Sequence, residues 1–457
     1  MKQFKMVTVV SNPRLAADTV LISSKLANDY DTEDLPQLIL KVGQLRKTLK
    51  PKINQKVKNT DLISLNPSTM RRLCLSSGRK YGFYIGEGEI KLGPVVGILS
   101  ESSGDPNRPF YGQSNFFRQM IIHARRLGQI CFGFNTSGIH WQSNTVSGWT
   151  YAGGRWVRAT FPMPDAVYPR HKGYSGVNYR ARRGLQSHGV AISNPPLIGK
   201  WQTYKILSEH PELVNHIPDT ELINSLKQVD AMMNKYHGVY IKPVNGSLGR
   251  NIIKVVKRPG SKRYIYQYRR SEGVFRGSAS SMAALRRKLH GIMGRRHYIV
   301  QKQINLIRSG GNILDVRVLI QKDHTGESSI TGMACRVGRN GAITSNISSG
   351  GYALKVSQVL RSRFHSEEKA NEIMESIRYV ALEAARTLEK TIGPVGEMGV
   401  DIGVDREGQI WFIEANLKPG RQVFSLLRQN RTRMMTIIKP LLYARYMAGF
   451  EGSPSVS

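Results

Sequence analysis

The chain opens on short apolar runs, Val7-Thr8-Val9-Val10, Leu38-Ile39-Leu40 and Leu62-Ile63, split by polar turns. Runs this short, bounded by turn residues, predict strands, so residues 1–91 read as a small β-rich N-terminal domain. The pattern changes at Gly93-Pro94-Val95-Val96-Gly97-Ile98-Leu99, an apolar strand opened by Gly-Pro. Past a Gly/Ser/Asn/Pro loop over 102–109, Phe117, Met120, Ile121, Ala124 and Leu127 recur at steps of three and four. That stripe predicts a helix over 114–127 with one buried face. Residues 129–134 are again strand-like, and strand–helix–strand points to a small parallel α/β domain over 92–196.

From Leu197 the pattern predicts a helix over 201–209, then paired strands around a glycine loop within 239–256. Strands follow at 298–301, 314–321 and 330–337. A long helix over 367–388 presents Ala370, Ile373, Ile377, Val380, Ala381 and Ala384 as a core-facing stripe. A hairpin over 399–416 and a helix over 434–446 complete a third domain, 197–445, and residues 446–457 read as a flexible tail. The fold class is α/β (α+β), with no internal repeat.

Composition changes the picture in one respect. Of 457 residues, 67 are Lys or Arg against 32 Asp or Glu, a net charge of +35 and a pI near 10.3. Such a field attracts polyanions, whether nucleic acid, acidic peptides or acidic cell-surface polymers, and says nothing of fold. A solvated basic face and a binding face both fit it. No apolar run is long enough for a membrane span, and the N-terminus lacks a signal-peptide pattern. Cys74, Cys131 and Cys335 are sparse and widely spaced, as free thiols of a reducing compartment are. The expected location is the cytoplasm, with no membrane partner.

Three segments carry chemistry. In Glu397-Met-Gly-Val-Asp401-Ile-Gly-Val-Asp405-Arg-Glu-Gly-Gln-Ile-Trp-Phe-Ile-Glu414-Ala-Asn416, two strands flank the turn-like 405–408. Glu414 and Asn416 share a strand face, and a four-residue turn would set Asp401 opposite Phe412 on that face. Two carboxylates and an amide oxygen suit Mg²⁺, while a solvated polar face is the plainer alternative. In Gly238-Val-Tyr-Ile-Lys242-Pro-Val-Asn-Gly246-Ser247-Leu-Gly249-Arg250, a strand ends in Lys-Pro and a glycine loop follows. Backbone N–H groups of such a loop can approach phosphate oxygens, though a hairpin turn has the same look. A strand rather than a helix follows, which excludes a dinucleotide-binding loop, and Gly-Lys-Ser/Thr is absent. In Asp315-Val-Arg317 the two charges share a strand face, and Arg336 lies in a second apolar strand. A buried arginine needs a partner: Asp315 in a structural pair, or a phosphoryl group in a catalytic clamp. No His-Glu-x-x-His, Cys-x-x-Cys or Gly-x-Ser-x-Gly competes.

Together these segments resemble the ATP-grasp superfamily over residues 93–440, in its YheC/YheD-type branch of endospore-coat-associated proteins. Gly93-Pro-Val-Val-Gly-Ile-Leu, Val300-Gln-Lys-Gln-Ile-Asn-Leu306 and Ile410-Trp-Phe-Ile-Glu-Ala-Asn-Leu-Lys-Pro-Gly420 match that branch. The resemblance implies an ATP-grasp fold preceded by the two smaller domains. It implies ATP held by Lys200, Lys242, Gly246, Ser247 and Gly249 and by the hinge residues Gln301, Gln303 and Ile304. It further implies two Mg²⁺ ions on Asp401, Glu414 and Asn416, and an acyl-phosphate clamp of Arg317 and Arg336. Lys302 departs from the pattern, standing where many relatives carry an acidic hinge residue. The implied activity joins an unidentified carboxylate to an amine, with acidic substrates and spore-coat proteins of the mother-cell compartment as partners and no specific nucleic acid. A non-catalytic, ATP-binding coat protein is the alternative reading. A nucleic-acid-binding protein is a third, prompted by aromatics mixed with cations from Arg263 to Arg270.

Overall fold

The computed structural model describes residues 4–30, 36–57, 60–86, 88–171, 175–196, 198–246, 249–257, 260–270, 273–345, 347 and 350–450. Two compact units divide the chain: 1–194 with 322–327 and 434–457, and 195–321 with 328–433. Among the described residues, no helix is long and apolar enough to cross a membrane.

In the first unit, the β-rich opening closes into a seven-stranded barrel. Around it run Lys5–Ser11, Leu62–Leu65, Thr19–Ser23, Leu45–Asn54, Leu38–Val42, Glu89–Gly93 and Arg79–Gly86, which returns to the first strand. Val7, Val9, Ile22, Leu38, Leu40 and Ile63 are buried in its interior, as period-two alternation requires. A second sheet follows, in which Val95–Leu99 pairs in parallel with Ile130–Phe134 and Ala166–Pro169. The helix Ser114–Arg126 crosses over between them and buries Phe117, Met120, Ile121 and Ala124, the predicted stripe, while Leu127 sits half-buried at its C-cap. Ile437, Leu441 and Ala444 of the last helix, Asn430–Met447, join the same cluster.

The second unit holds two antiparallel sheets. The first runs Thr220–Leu222, Tyr298–Lys302, Gly238–Pro243, Ile253–Lys257, Tyr264–Arg270, Gly273–Ala279. The helices Leu226–Tyr236 and Met282–Met293 share a core with Val239, Ile241 and Val255 on one face. Tyr264 and Tyr266 are buried in that core too, so these two aromatics of the basic segment are spent on packing. The second sheet runs Tyr352–Leu354, Ser328–Val337, Asn312–Lys322, Glu397–Val404, Ile410–Asn416. Helix Glu367–Ile392 covers one face, burying every residue of the predicted stripe against Val316, Val318, Val400 and Ile402. Its start is fixed by Ser366, whose hydroxyl accepts from the Lys369 N–H, with Glu367 and Glu368 in the first turn. Gly393, at φ 89°, ends it.

Candidate active site

Alternation along the second unit's strands puts apolar side chains against the helices and leaves polar ones on the opposite faces. On the second sheet those are Asp315, Arg317, Arg336 and Asp401, all buried. Arg317 lies directly across from Asp401, and Asp401 directly across from Glu414, forming a row over three strands. This corrects the sequence expectation that Asp401 faces Phe412. The loop runs from Asp405 to Gln409, one residue longer than predicted, and the ladder shifts between Asp401 and Ile402, leaving Ile413 unpaired. The shift has a physical reason. Phe412 and Glu414 would share a face on a regular strand, yet Phe412 belongs in the helix-side core. The extra residue lets Phe412 stay there while Glu414 turns to the polar face.

The arginines are held by carboxylates. Arg317 donates from Nε to Asp401 Oδ1 at 2.5 Å and from a terminal nitrogen to Oδ2 at 3.1 Å. Its partner is thus Asp401 rather than Asp315, its neighbour on the strand face. Arg336 donates to both oxygens of Asp315, at 2.7 and 2.6 Å, and to Asp401 Oδ2 at 2.7 Å. Ser345 donates its hydroxyl to Asp315. Burial opposes the charge on Arg336, but Asp315 and Asp401 outweigh it and hold the guanidinium well above its usual range. Burial likewise opposes the Asp401 carboxylate, and Arg317 and Arg336 reverse that, keeping it below the usual carboxylate range.

The first sheet presents Tyr240, Lys242 and Gln301 on its helix-free face. Lys242, buried near the end of Gly238–Pro243, donates to Gln301 Oε1 at 2.5 Å, and Gln301 Nε2 donates to Thr220 Oγ1 at 2.9 Å. Burial pushes the Lys242 ammonium down to about 8, with Lys200 adding to the shift and Glu414 and Asp401 opposing it. Lys200 opens the helix Lys200–Ser208 and donates from Nζ to the Gly246 carbonyl at 2.7 Å, 3.7 Å from Glu414 Oε2. Asn416 donates to Glu414 Oε1 at 2.9 Å. In the 246–249 loop, Gly246 has φ 138° and Gly249 φ 68°, the region that favours glycine. Ser247 lies outside the described residues.

At the hinge, the backbone N–H of Gln303 donates to the Gly238 carbonyl at 3.0 Å. Gln303 and Ile304 are half-buried just past the strand's end, and the Gln303 carboxamide turns to Asn305 rather than to the lysines. Lys302 points to the other side of the strand from Gln301, its ammonium 5.2 Å from the Tyr236 ring and 5.3 Å from the Trp411 ring. The departure at Lys302 therefore leaves the face with Lys242 unchanged.

Ser345 is the neighbour that sequence reasoning did not single out. Glu397 is another: fully buried, it accepts from Gln321 at 3.1 Å and from Arg421. The available signal was the same in both cases, a charge inside an apolar strand that requires a counterpart. Lys200, Lys242, Arg317 and Arg336 thus face three carboxylates and two carboxamides, an arrangement suited to binding and neutralising phosphate oxygens rather than to acid–base work.

A family model for YheC/D-like ATP-grasp matches residues 189–447. The chain is 26% identical over 395 residues to the endospore coat-associated protein YheD of Bacillus subtilis (strain 168), covering 84% of this chain and 86% of that protein. It is 25% identical over 284 residues to the endospore coat-associated protein YheC of the same organism, covering 61% and 76%. Among solved structures, N5-carboxyaminoimidazole synthetase from Staphylococcus aureus complexed with ADP matches at 9% identity and a TM-score of 0.46, covering 76% of this chain and 78% of that one.

Proposed function

The chain belongs to the YheC/D-like ATP-grasp family, and from that membership we propose that it is an Mg-ATP-dependent carboxylate–amine ligase serving the endospore coat. The observation that carries this reading is the row Arg317–Asp401–Glu414, with Lys200 held 3.7 Å from Glu414 and Lys242 buried nearby. The coat enters through the names of the two Bacillus subtilis relatives.

Lys200, Lys242 and the 246–249 backbone bind the ATP phosphates, and the 301–304 hinge takes the adenine. The donor set fits magnesium. Glu414 is only half-buried, Asn416 brings an amide oxygen, and both are hard oxygen donors. Asp401 completes the set with the one lone pair, on Oδ1, that its arginines leave over. Two magnesium ions held there would neutralise phosphate charge. A substrate carboxylate oxygen attacks the γ-phosphorus, the bond to the β–γ bridging oxygen breaks, and ADP leaves an acyl phosphate. An amine then attacks the acyl carbon, phosphate departs, and the amine nitrogen loses a proton. Arg317 and Arg336, held in place by their aspartates, steady the charge on the transferring phosphoryl group, so positioning and neutralisation do the work.

Titration calorimetry with ATP, with and without Mg²⁺, tests the first half of the reading, and no binding at millimolar nucleotide by folded protein would sink it. ADP release in a screen of amino acids and acidic peptides tests the second. Glu414→Gln keeps the shape but removes a charge from the metal face, so turnover should drop about a hundredfold with the fold intact. ATP binding without acceptor-dependent ADP release would leave a nucleotide-binding coat component.

A further inference from the structure

Between Pro106 and Asn194 the sequence holds eleven Lys and Arg and a single acid, Asp165. Asp165 is committed to the fold, its Oδ2 accepting the Val95 N–H at 2.8 Å. The stretch therefore supplies no other acid to its own cations. Arg118, Arg125, Arg155 and Arg158 are exposed, and none forms an ion pair with a described residue.

The same region offers a free sheet edge. Thr145–Ala152 and Arg155–Pro162 form a hairpin in register over eight residue pairs, closed by Gly153 and Gly154, both in the left-handed region at φ 56° and 77°. Among the described residues, Arg155–Pro162 pairs with no other strand. In a two-residue hairpin the pair next to the turn is hydrogen-bonded and the pairs then alternate. The backbone groups of Trp156, Arg158 and Thr160 consequently point away from the hairpin along the open edge. Arg158 lies opposite Trp149, and Trp156 opposite Tyr151, on the face that packs against Ser114–Arg126. On that face Arg125 donates to the Tyr151 carbonyl at 2.7 Å, and the Arg118 guanidinium lies 5.6 Å from the Tyr151 ring. Tyr151 is in a non-hydrogen-bonded pair, so its carbonyl holds Arg125 on the side away from the open edge, whereas Arg118 is held over the Tyr151 ring next to Trp156 of the edge strand.

We propose that the edge Arg155–Pro162 docks an acidic polypeptide in extended form, as an added strand. Its main chain pairs with the outward groups of Trp156, Arg158 and Thr160. Its carboxylates, on alternate residues, meet Arg158 and Arg118. Charged residues also guard free edges against self-pairing, and the experiment separates that role from docking.

The probe is a fluorescent twelve-residue peptide of alternating Glu and Val, read by anisotropy against the full chain without nucleotide, so the outcome is independent of ATP chemistry. A poly-Glu peptide of equal charge and a single-stranded DNA oligonucleotide are compared. Wild type should bind the alternating peptide at least about tenfold more tightly than poly-Glu, because only the former favours a strand. An Arg118→Gln/Arg158→Gln variant should lose about tenfold. Thr160→Pro removes an outward N–H without touching the hairpin's own bonds, so it should weaken the alternating peptide severalfold and leave DNA unaffected. Circular dichroism verifies folding of each variant, and Thr160→Val, which keeps the N–H, should bind as wild type does. Absence of binding, equal affinity for poly-Glu, or indifference to Thr160→Pro in a folded variant would overturn the proposal. DNA bound more tightly than peptide would assign the surface to nucleic acid instead.

Discussion

Asp315→Asn offers a quantitative test of the buried charge network. Asp315 and Asp401 carry two negative charges against the two positive charges of Arg336 and Arg317, and all four side chains are buried. The cluster is neutral, and each guanidinium has a carboxylate fork. The substituted amide would keep the shape and one oxygen for Ser345 and the Arg336 terminal nitrogen, but it loses the acceptor for Arg336 Nε and leaves Asp401, shared with Arg317, as the charged partner of Arg336. The cluster then holds one uncompensated positive charge, for which loss of one partner of a buried pair costs roughly 3–5 kcal/mol. Arg336→Met creates the opposite imbalance and should cost a similar amount. The double variant is neutral again, so its loss should be smaller than the sum of the singles by about 2 kcal/mol or more. Urea unfolding, which does not screen charge as guanidinium chloride does, gives the free energies through unchanged m-values. Of the five tryptophans, Trp201 and Trp411 lie in this unit and report on it. Additive losses, or singles costing under about 1 kcal/mol, would refute the view that these residues act as one buried cluster.

The Lys242 ammonium, at about 8 in the fold against 10.5 for the ordinary group, predicts a pH effect with a definite sign. The unfolded chain binds the extra proton between these values, so stability should rise with pH across that window, by roughly 3 kcal/mol in full. Bound phosphates favour the charged form, so ATP binding at a pH of about 8.5 should take up a proton, measured calorimetrically in buffers of different ionisation enthalpy; Lys242→Arg should abolish the uptake. Arg445 is fully buried, its three guanidinium nitrogens have no hydrogen-bond partner among the described residues, and the Phe4 ring lies 4.4 Å away. Arg445→Met should raise the first unit's thermal midpoint, by a gain of roughly 1–4 kcal/mol, and a lowered midpoint would show that the ring contact outweighs desolvation. Gly246→Ala meets no neighbour within 4 Å but must hold φ 138°, so it should cost about 1–2 kcal/mol in loop ordering and weaken ATP binding, read by calorimetry.

Much of this arrangement was legible in the residues, and the exceptions share a cause. The stripes of the helices Ser114–Arg126 and Glu367–Ile392 follow from periodicity, because a helix must bury one face. The strand faces bearing Asp315, Arg317, Glu414 and Asn416 follow from alternation. What periodicity cannot supply is a break in itself. The unpaired Ile413 is invisible in a run of apolar and polar letters, and together with the one extra loop residue it decides that Asp401 meets Glu414 rather than Phe412. Partner choice is equally hidden: Arg317 bonds across the ladder to Asp401, a contact set by register and not by sequence distance. The segment from Arg263 to Arg270 fits an ordinary exposed strand pair better than a stacking surface on sequence alone, and neither reading tells that Tyr264 and Tyr266 turn into the core.

The last helix carries a consequence for how the protein is made. Its residues from Met434 onward belong to the unit that begins at the other end of the chain, and Ile437, Leu441 and Ala444 fill the layer built on Val96, Ile98 and Phe117. A ribosome delivers that layer early, then synthesises all of the second unit before the missing side chains emerge. The barrel has all its strands from the outset, whereas the neighbouring sheet must wait with an apolar face uncovered, open to chaperones or to a premature contact. Synthesis stalled before Met434 would thus leave the earliest-made half of the protein incomplete rather than the latest.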